Sequence, residues 1–371
     1  MFRIAFIGGG INSAVGQTHQ IAMQMDNRFE IVAGAFSRNR EVNLQTGKNL
    51  NIDSSRLYED YKVLLEKEKG NVDAIVVLVP TTKHKKVVNL CIDEGYPVIC
   101  EKSLALTSKE ANEIINKVNE RRGFLCVTYN YTGYPMVRVL KNEILKGTLG
   151  KINHIEIQMP QEGFIRYMNN GEKPKPQAWR MKDNEVPVIS LDLGTHLHNM
   201  IYFLTGQNPI QVMGNEKSYG FFENIIDNVN CTIEYTNNMT VQMWYSKSAL
   251  GNRNGIGLQI YGSEGSASWY QSEAEIIKIN NNIGEIKILD RSNDMEIGMQ
   301  DRYGRFKIGH PAGFIEAFAN YYYDIYDILN QYYTCGKWES PYIMELENAV
   351  QGIRLFEKIH DSSINKCWVN V

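Results

Sequence analysis

The sequence predicts an α/β protein. It reads as an amino-terminal Rossmann-type doubly wound parallel sheet, then an α+β domain with an open, largely antiparallel sheet. Three observations carry this. The first third of the chain alternates short apolar runs with amphipathic stretches, the rhythm of βαβ units. The run at 72–79, Val-Asp-Ala-Ile-Val-Val-Leu-Val, is almost wholly apolar, as a central parallel strand covered on both faces must be. Beyond residue 130 that rhythm stops, and strand-like alternation is broken by turns rich in asparagine and glycine.

In order, strands are expected at 3–7, 30–36, 72–79, 97–100 and 124–129. Helices are expected at 13–26, 39–50, 61–68, 83–94 and 108–121, with Gly70, Gly95 and Gly123 near helix ends where glycine favours a stop. The second part begins with a helix at 136–146, ended by Gly147, and a strand at 152–159. An irregular stretch at 172–177, rich in proline and lysine, precedes a helix at 192–204. Strands at 229–235, 240–245, 257–261 and 266–269 follow, with turn chemistry at Asn237-Asn238 and 280–282, and helices at 314–329 and 344–362 close the chain. The division is a nucleotide-binding domain at 1–128 and a substrate-binding and oligomerisation domain at 129–371.

A chain of 371 residues supports two cores, and a net charge of −3 argues against nucleic acid or an anionic membrane as partner. The opening Met-Phe-Arg-Ile-Ala-Phe-Ile-Gly is a strand and lacks the features of a secretory signal. No stretch approaches the ~20 apolar residues of a membrane helix. Cysteines 91, 100, 126, 231, 335 and 367 show no paired spacing, which points to a reduced, cytoplasmic protein without disulfides or zinc. A homo-oligomer is expected through the second sheet, whose outward face is expected to carry Met243 and Tyr245.

Gly8-Gly-Gly-Ile-Asn-Ser13 follows the first strand and opens a helix, matching G-x-G-x-x-G with serine in the third place. Gly8 permits a tight turn and Gly10 lets the backbone approach a pyrophosphate seated on the helix amino end, so Gly8, Gly10, Ile11 and Asn12 are candidate cofactor contacts. The second strand ends Ala35-Phe-Ser37-Arg38 without the carboxylate that holds a ribose 2′-hydroxyl. Ser37 and Arg38 suit a 2′-phosphate, yet Arg38 stacking on adenine suits either dinucleotide, so NAD and NADP both stay open.

The strand at 97–100 runs into Glu101-Lys102, at the carboxyl edge where doubly wound sheets bind ligands. Much later comes Asp192-Leu-Gly-Thr-His196. In a helix those end residues share a face. A histidine titrates near neutral pH and suits a general base; Asp192 can orient the ring or hold a neighbouring hydroxyl; Lys102 can stabilise negative charge on a reacting oxygen. This set beside a hydride carrier points to an oxidoreductase acting on an alcohol or ketone. His196 and His198 point apart in a helix and no cluster completes a metal site, so no metal is expected.

These residues resemble the Gfo/Idh/MocA family, the glucose–fructose oxidoreductase and inositol dehydrogenase group, along nearly the whole chain. The resemblance rests on Gly8-x-Gly10, Pro80-Thr-Thr-x-His84, Glu101-Lys102, Asn130, Trp179-Arg180, Asp192-x-Gly-x-His196, His310-Pro-Ala-Gly-Phe-Ile-Glu-Ala-Phe and the ending Trp368-Val369. It implies NAD(P)-linked oxidation or reduction of sugars, inositols and glycosides. A preformed glycine turn and helix amino end, with Trp179 and Arg180 arriving from the second domain to close over the nicotinamide half, predict a tightly held cofactor. By position the resemblance implies Lys102, Asp192 and His196 as the catalytic set. It implies Pro80, Thr81, His84, Glu101, Lys102, Asn130, Trp179 and Arg180 as cofactor contacts, and Tyr131, Arg166 and His310, beside the catalytic set, as substrate contacts. Many members read Glu-Lys-Pro; Ser103 replaces the proline and leaves the geometry of the 102–103 bond open. A glycoside 3-dehydrogenase, attacking the glucose 3-hydroxyl, is one subtype; an inositol or nucleotide-sugar dehydrogenase is the alternative within the class. A non-catalytic NAD(P)-binding sensor is the alternative outside it, and such a protein has no need of Lys102 and His196.

Overall fold

A computed structural model describes residues 1–293 and 295–371. The chain divides into two compact units: residues 1–105, 109–133 and 313–350 form the first, and residues 106–108, 134–312 and 351–371 form the second.

The first unit holds β1 (Phe2–Gly8), α1 (Ala14–Gln24), β2 (Phe29–Ala35), α2 (Arg40–Asn49), α3 (Tyr61–Lys67), β3 (Ala74–Leu78), α4 (His84–Asp93), β4 (Val98–Glu101), α5 (Ser108–Arg121, entering at Lys109) and β5 (Leu125–Thr128). The five strands are parallel, in the order β2-β1-β3-β4-β5. The order reverses between β1 and β3, and the Gly8 turn lies there, in register with Leu78. All of β3 is buried, as its apolar run requires.

The second unit opens with α6 (Pro135–Leu145) and β6 (Ile152–Pro160), and carries α7 (Thr195–Thr205) behind a π-helical turn at Ser190–Gly194. Its strands continue as β7 (Pro209–Lys217), β8 (Asn228–Tyr235), β9 (Met239–Ser246), β10 (Gly257–Gly262), β11 (Gly265–Tyr270), β12 (Ile277–Asn281) and β13 (Ile286–Leu289), before a short helix α8 (Met295–Gly298). Helix α9 (Phe314–Cys335) belongs to the first unit and α10 (Leu346–Asn365) spans the two segments, ahead of β14 (Val369–Asn370). The nine strands run β13-β12-β11-β10-β6-β9-β8-β7-β14. The sheet is mixed, because β6 and β9 pair in parallel while their other neighbours are antiparallel.

Three differences from the sequence reading have physical causes. The segment at 192–204 is not one regular helix: Asp192 sits in the π turn and the α-helix begins at Thr195. Strands β7, β12 and β13 were not expected, since Gly214 interrupts the apolar pattern of the first, and the other two flank an asparagine-rich turn. Third, Met243 and Tyr245 do not face outward. Both are fully buried, and the Tyr245 hydroxyl lies 2.8 Å from Ser190 Oγ. The strand alternates with the opposite phase, leaving Gln242 exposed and Trp244 half-buried on the outer face, where Trp244 Nε1 donates to Asn228 Oδ1 at 2.9 Å. These two residues therefore carry no argument for a partner.

The six cysteines are free thiols; Cys91, Cys100, Cys126 and Cys231 are buried small apolar groups, and burial pushes their thiols up. Among the described residues no helix is long and apolar enough to cross a membrane.

Candidate active site

In the first unit the glycine turn is shaped to hold a phosphate group close. Gly8 and Gly9 have φ of +88° and +75°, a region other residues rarely adopt. A Cβ on Gly8 would stand 2.7 Å from the Leu78 carbonyl carbon, and one on Gly9 2.6 Å from Leu78 Cδ1. Ser13 does not take the place of a third glycine. It caps α1, accepting from Gly16 N at 3.1 Å. Gly16 fills that role instead, since a Cβ there would come within 2.6 Å of Gly9 Cα. Ile11 N donates to Thr46 Oγ1 at 3.1 Å, Asn12 is exposed, and the buried Gly10 faces Val42 and the Phe36 carbonyl. Ser37 and Arg38 follow β2, with Ser37 Oγ accepting from Asn39 N at 3.1 Å and Arg38 exposed.

At the carboxyl end of β4, Glu101 stands in register with Thr128 of β5. That pairing brings Thr128 Oγ1 to Glu101 Oε2 at 2.5 Å, and His19 of α1 meets the same oxygen through Nε2 at 2.9 Å. Burial would raise the Glu101 carboxyl. The hydrogen bond and charge of His19, the Lys102 charge and the Thr128 hydroxyl outweigh it and hold the carboxyl below its ordinary value. Lys102 is half-buried, and the Lys102–Ser103 peptide bond is cis. His84 is buried with Nδ1 at 2.8 Å from the Ser103 carbonyl and Nε2 at 2.8 Å from the Val79 carbonyl, so its ring ties the end of β3 to the residue after Lys102. Pro80 is exposed and Thr81 half-buried beside it. Tyr131 is buried with its ring 5.8 Å from that of Phe314. Asn130 is buried, and its Nδ2 has no hydrogen-bond partner among the described residues.

In the second unit the buried Asp192 carboxylate is held by two cations. Arg180 Nη1 lies 2.7 Å from Oδ2, and Lys247 Nζ lies 2.5 Å from the same oxygen. Lys247 is itself buried, with its ammonium 5.3 Å from the centre of the Phe164 ring. The π turn lets this segment pack closely: a Cβ on Gly194 would stand 2.8 Å from the Phe356 ring. His196 follows in the first turn of α7 and is buried. Buried His198 packs on Gly352, where a Cβ would stand 2.8 Å from its ring. Among the described residues no group of three His, Cys, Asp or Glu is placed to hold a metal.

Of the residues expected around these, Arg180 joins Asp192, while half-buried Trp179 donates through Nε1 to Gln177 at 2.8 Å. Arg166 pairs instead with Glu162 at 3.1 Å, in the wall of an open pocket of about 730 Å³ that includes Tyr167, Asn170 and Arg253. His310 is exposed, and its carbonyl accepts from Arg291 at 2.9 Å. Sequence reasoning missed Lys247 and His19. Lys247 immediately follows strand β9, as Lys102 follows β4, but the edge rule applies only to open parallel sheets. His19 lies on the buried face of α1 among Gln20, Ala22 and Met23, where it passes for core.

The glycine cradle, the helix amino end and the orphaned Asn130 donor fit a bound dinucleotide. Residues 2–129 match the family model described as the Gfo/Idh/MocA oxidoreductase family, NAD-binding Rossmann fold, and residues 137–268 match the model of the corresponding C-terminal domain. An uncharacterized oxidoreductase of Bacillus subtilis, YfiI, is 29% identical over 86% of this chain and 83% of its own length. The levoglucosan dehydrogenase of Pseudarthrobacter phenanthrenivorans is 23% identical over 71% of this chain and 72% of its own. The crystal structure of an inositol dehydrogenase homolog from Azotobacter vinelandii, complexed with NADH and myo-inositol, shares the fold. Its TM-score is 0.88 at 24% identity, over 100% of this chain and 97% of that one.

Proposed function

Because this chain belongs to the Gfo/Idh/MocA family of NAD-binding oxidoreductases, we propose that it interconverts a ring secondary hydroxyl of a sugar or glycoside and the corresponding ketone. The nicotinamide, when bound, supplies the hydride acceptor or donor. The glycine turn Gly8–Gly10, the amino end of α1 and Asn130 hold the dinucleotide, with Ser37 and Arg38 placed after β2 for the adenosine ribose. His196 takes the hydroxyl proton as the carbon–hydrogen bond breaks, and returns it in reverse. Lys102 donates to the reacting oxygen and stabilises the negative charge that develops there. Asp192, fixed by Arg180 and Lys247, accepts from substrate hydroxyls and orients the ring.

The observation that carries this reading is the Asp192 cluster. A buried carboxylate held between two cations, four residues before a histidine, is a fixed acceptor in the same segment as a candidate base. Among relatives, the levoglucosan dehydrogenase supports a sugar as substrate, and the glucose-6-phosphate 3-dehydrogenase of Bacillus subtilis supports attack on a glucose ring.

The test is incubation with a panel of sugars, inositols and glycosides, with NAD and with NADP, and identification of the ketone product by NMR. On the substrate so found, Lys102→Met and His196→Asn each cut kcat by at least about a hundredfold while circular dichroism stays that of wild type. Near-normal turnover in either folded variant, or no reduced cofactor from any panel member, overturns the assignment.

A further inference from the structure

His19 is fully buried in α1, and neither ring nitrogen faces solvent. Its Nδ1 lies 2.5 Å from the Tyr322 hydroxyl of α9, and its Nε2 lies 2.9 Å from Glu101 Oε2. The direction of these bonds follows from the chemistry of the ends. An ionised carboxylate only accepts, so Nε2 carries the proton and donates to Glu101. At Nδ1 the Tyr322 hydroxyl completes the ring's hydrogen bonding, since a hydroxyl both donates and accepts. Thr128 Oγ1 donates to the same Glu101 oxygen at 2.5 Å. Two donors, His19 Nε2 and Thr128 Oγ1, thus point at one carboxylate oxygen.

Two functions fit such a chain: a proton wire away from Lys102, or a clamp that holds Glu101. A wire needs an exit. Tyr322 is 1% exposed, and burial, with the Glu101 charge, pushes its hydroxyl well above its ordinary range. It packs among Phe318 and Phe29, with ring centres at 5.4 and 5.7 Å. The chain ends in an apolar pocket that neither gives nor takes protons, which excludes the wire.

We propose that His19 is a positioning residue for the reaction: with Thr128 it fixes the Glu101 carboxylate as an anion next to Lys102 in the chain, and Tyr322 holds the His19 ring in place. The proposal rests on the reading of Lys102 as the group that meets the reacting oxygen. A fixed anion beside Lys102 in the chain sets the direction of the turn from which Lys102 projects.

The experiment compares four variants of the full-length protein. His19→Leu removes the donor to Glu101 and lowers kcat by about tenfold or more, with the substrate KM changed less than about threefold. His19→Gln places an amide N–H near the Nε2 position and recovers most of that loss. Tyr322→Phe, which removes the hydroxyl at Nδ1 and leaves the donor to Glu101, costs less than His19→Leu. Thr128→Val removes the second donor and lowers kcat in the same direction, and it decides the question if His19→Leu does not fold. A readout independent of substrate accompanies these: nitrogen-15 NMR of imidazole-labelled protein, in which His19 Nε2 carries a strongly downfield proton. Wild-type kcat in folded His19→Leu or Thr128→Val overturns the clamp. So does failure of glutamine to exceed leucine at equal thermal stability, or a His19 Nε2 that carries no proton. If no substrate is found at all, the Nε2 proton is still present or absent on its own, which separates this inference from the functional reading.

Discussion

Glu101 and Glu216 are both carboxylates hydrogen-bonded to a histidine, one in each compact unit, and they settle on opposite sides of the ordinary glutamate range. Glu101 meets His19 at 2.9 Å and Thr128 at 2.5 Å, and its carboxyl is held down. Glu216, on β7, meets His360 Nδ1 at 2.6 Å, but its other oxygen is buried without a hydrogen-bond partner. Burial pushes its carboxyl up, Asp183 adds to that push, and the His360 bond and charge do not overcome it. A buried acceptor without a donor costs about 1–3 kcal/mol. The difference teaches that a histidine does not by itself hold a buried carboxyl below its ordinary value. The donor count and the sign of the next nearest charge decide it, and only Glu101 has a second donor and a cation, Lys102, beside it in the chain.

The comparison breaks most readily on activity. Glu101→Gln removes the anion beside Lys102 and lowers kcat by about tenfold or more. Glu216→Gln, at a carboxylate with no part in the proposed chemistry, leaves kcat within about twofold. Equal losses in the two variants would mean that the contrast in their surroundings has no bearing on turnover.

Asp192 sharpens the same contrast within the second unit. It resembles Glu101 in having more than one partner, and exceeds it in that both are cations. Lys247→Met removes one of the two cations on the carboxylate, so kcat/KM falls by about tenfold while Glu216→Gln does not change it. Arginine at 247 brings a planar fork in place of a compact ammonium and restores only part of the loss. Wild-type kcat/KM in folded Lys247→Met would remove Lys247 from the machinery.

How far such a site is legible in sequence depends on the range of the physics that builds it. The parallel sheet was legible because burial on both faces forces an apolar run, as at 72–79, and because βα rhythm is local. The glycine turn was legible because positive φ demands glycine, as at Gly8 and Gly9. Its third member was misplaced: Ser13 lies at the motif's spacing, but close packing, which no spacing records, falls to Gly16. Glu101, Lys102, Asp192 and His196 could be named, yet the groups that hold them could not. Thr128 reaches Glu101 through strand register, His19 through helix packing, and Lys247 comes 55 positions after Asp192. The phase of β9 shows the same limit. Met239–Ser246 alternates, but alternation alone does not say which face is covered, and the apolar set turned inward.

The smallest expected effect is on stability, and its sign separates the two glutamates. The folded pKa of Glu101 lies below the ordinary 4.5. Its ionised form therefore contributes stability that is present above that value and lost as pH falls through the folded pKa. Glu216 lies above 4.5, so its contribution is complete below that value and is lost as pH rises through the folded pKa. The groups facing Glu101 are His19, Thr128 and Lys102, and those facing Glu216 are His360 and Asp183. Glutamine is neutral at every pH and serves as the reference. Glu101→Gln should be less stable than wild type at pH 7, and the gap should close as pH falls below 4.5. Glu216→Gln should gain on wild type as pH rises from 4.5 through the folded pKa and then hold that gain. Each effect is on the order of 1 kcal/mol. Urea midpoints measured at a series of pH values give the two difference curves. Opposite signs at pH 7 support the comparison; a Glu216→Gln protein less stable than wild type there would place Glu216 with Glu101, as an anion the fold holds rather than one it tolerates.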